Sequence, residues 1–162
     1  MIDAKRGFAV LFVCHGNICR SPTAEGVMKS RAARAGLSEV LRVDSAGTSG
    51  CHTGEAPDRR SQRTAGQRGY DLSAQIARQV TADDFERFDL ILAADRHNLA
   101  DLRARCPAPL QHKLALMLDV LPAGSEREVP DPYYGGPTGF DHVLDLLEAA
   151  CDGWIEKIVD RP

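Results

Sequence analysis

No run in this 162-residue sequence approaches the roughly 20 apolar residues a helix needs to cross a bilayer, so no membrane insertion is expected. An excess of basic charge is also missing. Lys and Arg number 20 against 23 Asp and Glu, a net charge of −3, which argues against the positive footprint of a nucleic-acid binder. Arg59, Arg60 and Arg63 cluster, but among acidic residues, and read as solvated surface. A paired cysteine framework is lacking too: five cysteines, an odd count, fit a reducing compartment better than a disulfide scaffold. Without internal repeats, low-complexity tracts or linker-like stretches, residues 1–162 are expected to form one domain, long enough to bury a core without staples. The start MIDAKRGFAVLFVC puts Lys5 and Arg6 before an apolar stretch, as a short secretion signal would, yet no small-residue cleavage pattern follows. It reads as a buried strand, and the expected location is cytoplasmic.

What is present is an alternation of strand and helix patterns. Phe8 to Val13 is a short continuous apolar run, expected of a strand covered on both faces. From Pro22 to about Ala35, Ala24, Met28, Ala32 and Ala35 recur at helical spacing, and Gly36 supplies a stop. VLRVDSAG predicts a second strand, APDRRSQRTAGQRGY a polar-faced helix, and FDLILAAD a third strand. A helix over RHNLADLRAR follows, ended by Pro107, and HKLALML predicts a fourth strand. Residues 122 to 139 are Pro- and Gly-rich loop; beyond them Val143, Leu147, Ala150, Trp154 and Ile158 mark one face of a closing helix, with Cys151 a packed small hydrophobe. Such an order predicts an α/β fold, a parallel sheet with helices on both faces. Ligands of open parallel sheets gather outside the carboxyl ends of the strands, where Cys14 stands.

Between that strand and the next helix lies CHGNICRS. A loop of this length, leading into a helix N-terminus, can turn several backbone N–H groups inward and bind an anion. Gly16 allows close approach or positive φ, and Asn17 tolerates left-handed geometry better than most residues. Arg20 adds a planar fork matched to two phosphate oxygens. Ser21 can cap free amides, and Pro22 suits the first helical position because it has no N–H to leave unpaired. Donors that hold an anion also favour a thiolate, and a sulfur facing a bound phosphate is what a phosphocysteine intermediate requires. The C-x5-R spacing alone is weak, and a buried structural Cys14 is the alternative. The context of strand, Gly-Asn loop, Arg-Ser-Pro and amphipathic helix favours anion binding or catalysis.

The segment VCHGNICRSP closely resembles the signature of the low-molecular-weight protein tyrosine phosphatases. The resemblance continues through DSAGTSG (44–50), ARQVTADDFERFDLILAAD (77–95) and DPYYGG (131–136), so it spans nearly the whole chain. It implies a three-layer sandwich with a four-stranded parallel sheet in the flavodoxin-like order 2-1-3-4. It implies a cofactor-free and metal-free hydrolase with Cys14 as nucleophile and Arg20 gripping the phosphoryl oxygens. Asp131 would be general acid and then general base. His15, Gly16, Asn17, Ile18 and Cys19 would line the phosphate loop, Asn17 and Ser45 would pin its shape, and the Ser21 hydroxyl would hold the thiolate. Tyr133 and Tyr134 resemble the walls of a slot for an aromatic substrate. Cys19 matches the family's second loop cysteine, which can close a reversible, protective disulfide with the nucleophile. Partners would be phosphotyrosine-containing proteins, a bacterial tyrosine kinase among them.

Two places depart from the family pattern. Many relatives have an aromatic residue in the slot wall where this chain has Cys51 and His52. Many eukaryotic ones have a histidine supporting the loop where Gln75 stands, and Gln can hydrogen-bond but not become cationic. Three other readings compete. An arsenate reductase shares the fold, but it needs relay thiols, and only the separated Cys106 and Cys151 follow residue 70. A phosphoprotein-binding or redox-sensing module is the non-enzymatic reading. A zinc site from Cys14, His15, Cys19, Cys51 and His52 matches no strong ligand spacing. Relatives that hydrolyse phosphoarginine carry threonine where this chain has Ile18, and an apolar side chain suits an aromatic ring better than a guanidinium. Matched kinetics on phosphotyrosine, phosphoserine and phosphoarginine peptides are therefore expected to favour phosphotyrosine; faster phosphoarginine turnover would contradict the role given to Ile18.

Overall fold

The computed structural model describes residues 5–133 and 138–160. Its centre is β1 (Phe8–Cys14), flanked in a parallel sheet by β2 (Leu41–Gly47) and β3 (Leu90–Ala93), with β4 (Leu114–Leu116) beyond β3. The strand order is β2-β1-β3-β4, as the family resemblance implies. Because alternate residues of a strand face opposite sides, β1 serves two cores. Val10, Phe12 and Cys14 pack with α1 (Arg20–Arg34) and α5 (Thr138–Val159), through Ala24, Met28 and Leu147. Ala9, Leu11 and Val13 face α3 (Ala82–Arg87) and α4 (Arg96–Arg105), meeting Phe85, Leu99 and Leu102. Burying each larger side chain contributes about 1.5–3 kcal/mol, which explains an apolar run without alternation. The indole N–H of Trp154, buried in α5, donates to the Met117 carbonyl at 2.7 Å. Cys151 lies fully buried on the same helix, as its packing position predicts.

Several boundaries differ from the sequence expectation. α1 starts at Arg20, two residues before Pro22, and its N-cap position is Cys19 with no side-chain cap. Proline is tolerated there because none of the first-turn amides has an intrahelical acceptor. Ser21 consequently sits inside the helix rather than capping it, and its hydroxyl is free for another partner. The polar helix expected over residues 56–70 shrinks to α2 (Arg59–Gln67), whose first amides are capped by the Asp58 carboxylate. The fourth strand keeps only three residues, between short 3-10 turns at Ala108–Lys113 and Met117–Val120. α3 was not expected. It is fixed by a capping box in which the Thr81 amide donates to Asp84 at 2.8 Å. No helix among the described residues is long and apolar enough to cross a membrane.

Gly47 ends β2 beside Cys14, its register partner. Its amide donates to the Arg78 carbonyl at 2.9 Å and its carbonyl accepts from Val80 at 2.8 Å, which docks the 78–80 segment onto the sheet. A Cβ on Gly47 would lie 2.7 Å from the His15 carbonyl oxygen and 2.9 Å from that of Ser49. Both obstacles are backbone and cannot rotate away. Gly47→Ala is expected to destabilise the fold by about 1–3 kcal/mol, measured as a lower urea midpoint at unchanged slope; an unshifted midpoint would show that the loop yields.

Candidate active site

The loop after β1 turns through one strained residue. Asn17, at φ 58°, is the one non-glycine residue with positive φ among those described. Asparagine bears this conformation more cheaply than other side chains. Gly16 is needed for space instead: a Cβ there would meet Cδ2 of His52 at 2.9 Å. The backbone amides of residues 16 to 19 donate to no acceptor among the described residues.

Hydrogen bonds fix the loop in a definite donor order. The Asn17 side-chain oxygen accepts from the Arg78 amide at 3.0 Å, which orients the group. Its Nδ2 then donates to the Ser21 hydroxyl at 2.8 Å and the Ser45 hydroxyl at 3.0 Å. Ser45 in turn donates to the Glu25 carboxylate at 2.7 Å, and Lys29 holds the other Glu25 oxygen at 2.5 Å. Ser21 Oγ lies 3.0 Å from the Cys14 sulfur, with the Ala46 carbonyl more distant at 3.4 Å. Once Asn17 occupies an acceptor site on Ser21, the hydroxyl proton is available to an ionised sulfur. Gln75 hydrogen-bonds at both ends, more weakly at Ser45 than at Pro22. Its Nε2 donates to the Pro22 carbonyl at 2.9 Å, while its oxygen is 3.5 Å from Ser45 Oγ, whose proton Glu25 takes at the shorter distance.

Arg20 reaches the same loop from its helical end. Only 3 % exposed, it donates through Nη1 to Asp95 at 2.7 Å and to the Val129 carbonyl at 3.0 Å. Its Nη2 is 3.8 Å from Asp131 Oδ2. Burial works against the guanidinium charge, but the attraction of Cys14 and the hydrogen bond Arg20 donates to Asp95 outweigh it, so the Arg20 pKa is raised. Burial likewise opposes the Asp95 charge, yet the Arg20 bond and the Asn98 amide hold that carboxyl below its ordinary range. Burial pushes the neighbouring Cys19 thiol up to about 12.

These groups meet in a cleft of about 320 Å³, lined by the loop from Cys14 to Gly16 and Ile18 to Arg20, with His52, Asp131 and Tyr133 opposite. A larger groove, of about 700 Å³ along Trp154 and Lys157, starts at the other end of β3 and is lined by no cysteine. Ile18 is buried against Cys19, Ala77 and Phe140 while it lines the cleft. Of the two departures in the slot wall, His52 faces the cleft, its Nδ1 2.9 Å from Glu55, and Cys51 is exposed. Asp131 is half exposed, its Oδ1 accepting from the Tyr133 amide at 3.0 Å. Tyr134 lies outside the described residues. All five cysteines are free thiols. Among the described residues no cluster of His, Cys, Asp and Glu could hold a metal ion. Sequence reasoning missed Glu25 and Asp95. Glu25 is one helical turn past Ser21, on the same face, and Asp95 stands at the carboxyl end of β3, where such sheets bind ligands.

A cysteine and a buried arginine lining one cleft at the carboxyl end of a four-stranded parallel sheet, joined by a loop with a left-handed Asn17, define a small class of α/β proteins. The sequence profile of the low molecular weight phosphotyrosine protein phosphatases matches residues 9–161, and the chain belongs to that family. A low molecular weight protein-tyrosine-phosphatase of Streptomyces coelicolor is 42% identical over 157 residues, covering 95% of both chains. A low molecular weight phosphotyrosine protein phosphatase of Homo sapiens is 39% identical over 155 residues, 92% of this chain and 94% of the human one. The crystal structure of an Entamoeba histolytica protein tyrosine phosphatase superposes with a TM-score of 0.92 at 44% identity, over 95% of this chain and 98% of that one.

Asp95→Asn isolates the charge on the arginine's partner, because Asn remains a good helix N-cap. The depressed carboxyl contributes stability that is complete above its ordinary pKa of 3.8 and is lost as pH falls through the lower folded value. At pH 7 the variant is expected to lose about 1–2 kcal/mol, and the gap from wild type should shrink below about pH 4. Urea unfolding across pH measures this; a gap that stays constant would assign the loss to packing.

Proposed function

We propose that the chain hydrolyses phosphotyrosine in proteins through a phosphocysteine intermediate. The observation that carries this reading is the convergence of Cys14, Arg20 and Asp131 on one cleft. The Cys14 thiolate attacks phosphorus while the bond from phosphorus to the phenolic oxygen breaks. Asp131 gives its proton to the departing oxygen, whose conjugate acid has a pKa near 10. Arg20 and the inward amides receive the charge of the equatorial oxygens, held in place before reaction. Water then attacks the phosphocysteine, Asp131 takes its proton, the sulfur–phosphorus bond breaks, and the thiolate is restored with release of phosphate.

Tyr133 and Ile18 supply apolar walls for an aromatic ring, and Cys19, held as a thiol at neutral pH, completes the loop beneath it. Asn17 and Ser45 keep the loop in shape, and Ser21 donates to the thiolate. A reduced nucleophile suits a reducing compartment, the cytoplasm. Phosphotyrosine proteins are the natural partners, a bacterial tyrosine kinase among them.

Cys14→Ser is expected to bind phosphotyrosine peptide without turning it over. Asp131→Ala should lower kcat/KM for phenyl phosphate by roughly 100-fold or more while inorganic phosphate still inhibits. Turnover surviving in the serine variant would defeat the covalent route, and arsenate-dependent oxidation of thioredoxin by the wild type would favour the reductase reading.

A further inference from the structure

The acid and the nucleophile come from segments far apart in the chain, and something must hold one against the other. Asp131 belongs to a loop that leaves the sheet at Val129, whose amide donates to the Ala94 carbonyl at 2.8 Å. Beyond Asp131 the next described anchor is Tyr133, and over its ring lies the guanidinium of Arg60, 5.3 Å from the centroid. The same guanidinium stands 4.9 Å from the ring centre of Phe140, at the start of α5. It is held by the Asp58 carboxylate on two sides, Nε to Oδ1 at 3.2 Å and Nη2 to Oδ2 at 3.0 Å. Asp58 also donates its backbone amide to the Ile18 carbonyl at 2.8 Å, in the middle of the phosphate loop. A continuous path therefore runs from Ile18 through Asp58, Arg60 and Tyr133 to Asp131.

We propose that Arg60 is a positioning residue for proton transfer, a strut that fixes the acid loop relative to the phosphate loop. The inference rests on the assignment of Asp131 as the acid. An arginine suits the task because its flat face stacks on aromatic rings while its edge meets a carboxylate bidentately. Arg60 itself touches no reacting atom; it acts through Tyr133 on where the Asp131 carboxyl stands. Errors of about 1 Å in such placement are costly to rate even when the group remains present.

The test compares phenyl phosphate, which needs a proton on its leaving oxygen, with 2,4-dinitrophenyl phosphate, which does not. Arg60→Met keeps the length of the side chain without the charge, and Arg60→Lys keeps the charge without the fork. With phenyl phosphate, Arg60→Met is expected to lose about tenfold in kcat/KM, part of the 10²–10⁴ that a placed acid supplies. With the dinitrophenyl ester the loss should stay below about twofold, and inhibition by inorganic phosphate should be unchanged. Arg60→Lys should fall between wild type and Arg60→Met. Placed on top of Asp131→Ala, Arg60→Met should cost nothing more, because it acts through the missing carboxyl. Equal losses on both esters, a further loss in the double variant, or no loss at all would overturn the inference. An Asp131→Ala protein without leaving-group dependence would sink the acid assignment and this inference with it. A steep dependence in Asp131→Ala beside wild-type behaviour of Arg60→Met would sink the strut alone.

Discussion

The buried guanidinium of Arg20 is the constraint around which the catalytic end of the molecule is arranged. A cation excluded from water must be paired, and taking away the partner of a buried charge typically costs about 3–5 kcal/mol. Arg20 satisfies that requirement with three groups from two segments: Asp95 after β3, and the Val129 carbonyl and Asp131 of one loop. Since Arg20 also opens α1, the charge draws the end of β1, the end of β3 and the acid loop to one point. Arg20 lines the same cleft as Cys14. In the proposed reaction the same charge that the protein must neutralise also meets the phosphoryl oxygens.

The sulfur's surroundings answer a different demand, that of direction. Hydroxyls can donate or accept, and a thiolate is helped only by those that donate. The sequence of bonds from Glu25 through Ser45 and Asn17 leaves the Ser21 hydroxyl proton free for the Cys14 sulfur at 3.0 Å or the more distant Ala46 carbonyl. Asn17 is the junction, and its strained backbone is held because Arg78 fixes one end of its amide and two serines the other. Arg78 is itself anchored, at 2.9 Å from Asp84 and 3.0 Å from Asp44. Here a buried acid on α1 takes the shorter bond from Ser45, and Gln75, which stands where many eukaryotic relatives have a histidine, takes the longer one.

How much of this was legible depends on the range of the interaction. β1, the position of Cys14, and the helix after it follow from local pattern: an apolar run, a Gly-Asn turn, then apolar residues at helical spacing. The start of α1 lies ahead of Pro22 because that residue is compatible with any place in the first turn. α2 is shorter than its polar sequence suggests because Ala65 is its one apolar residue buried in the core, leaving no periodicity to mark its ends. α3 is barely six residues, and β4 only three. The partners of the site were harder still. Arg20 and Asp95 are 75 residues apart, and Ser45 and Glu25 20 apart, separations at which spacing carries no signal. The family resemblance supplied Asp131 and Ser45, but the residues that hold them in place were visible only once the sheet was assembled.

The two halves of the site are built with different stiffness, and the chemistry explains why. The nucleophile's loop is buried, strained and held by bonds from β2, α1 and the 78–80 segment, because attack in line with the leaving group depends on a fixed sulfur and fixed oxyanion donors. Asp131 is half exposed, and in the proposed mechanism it serves twice, first giving a proton to an aryl oxygen and then taking one from water. A group that meets two different partners in succession gains from solvent access and some latitude, provided its mean position is kept. Contacts of the kind made by Arg60 with Tyr133 and Phe140 suit that need: aromatic stacking is broad in angle, whereas the Asp58 fork behind it is not. The gradient from rigid loop to tethered acid thus follows from the order of the two chemical steps.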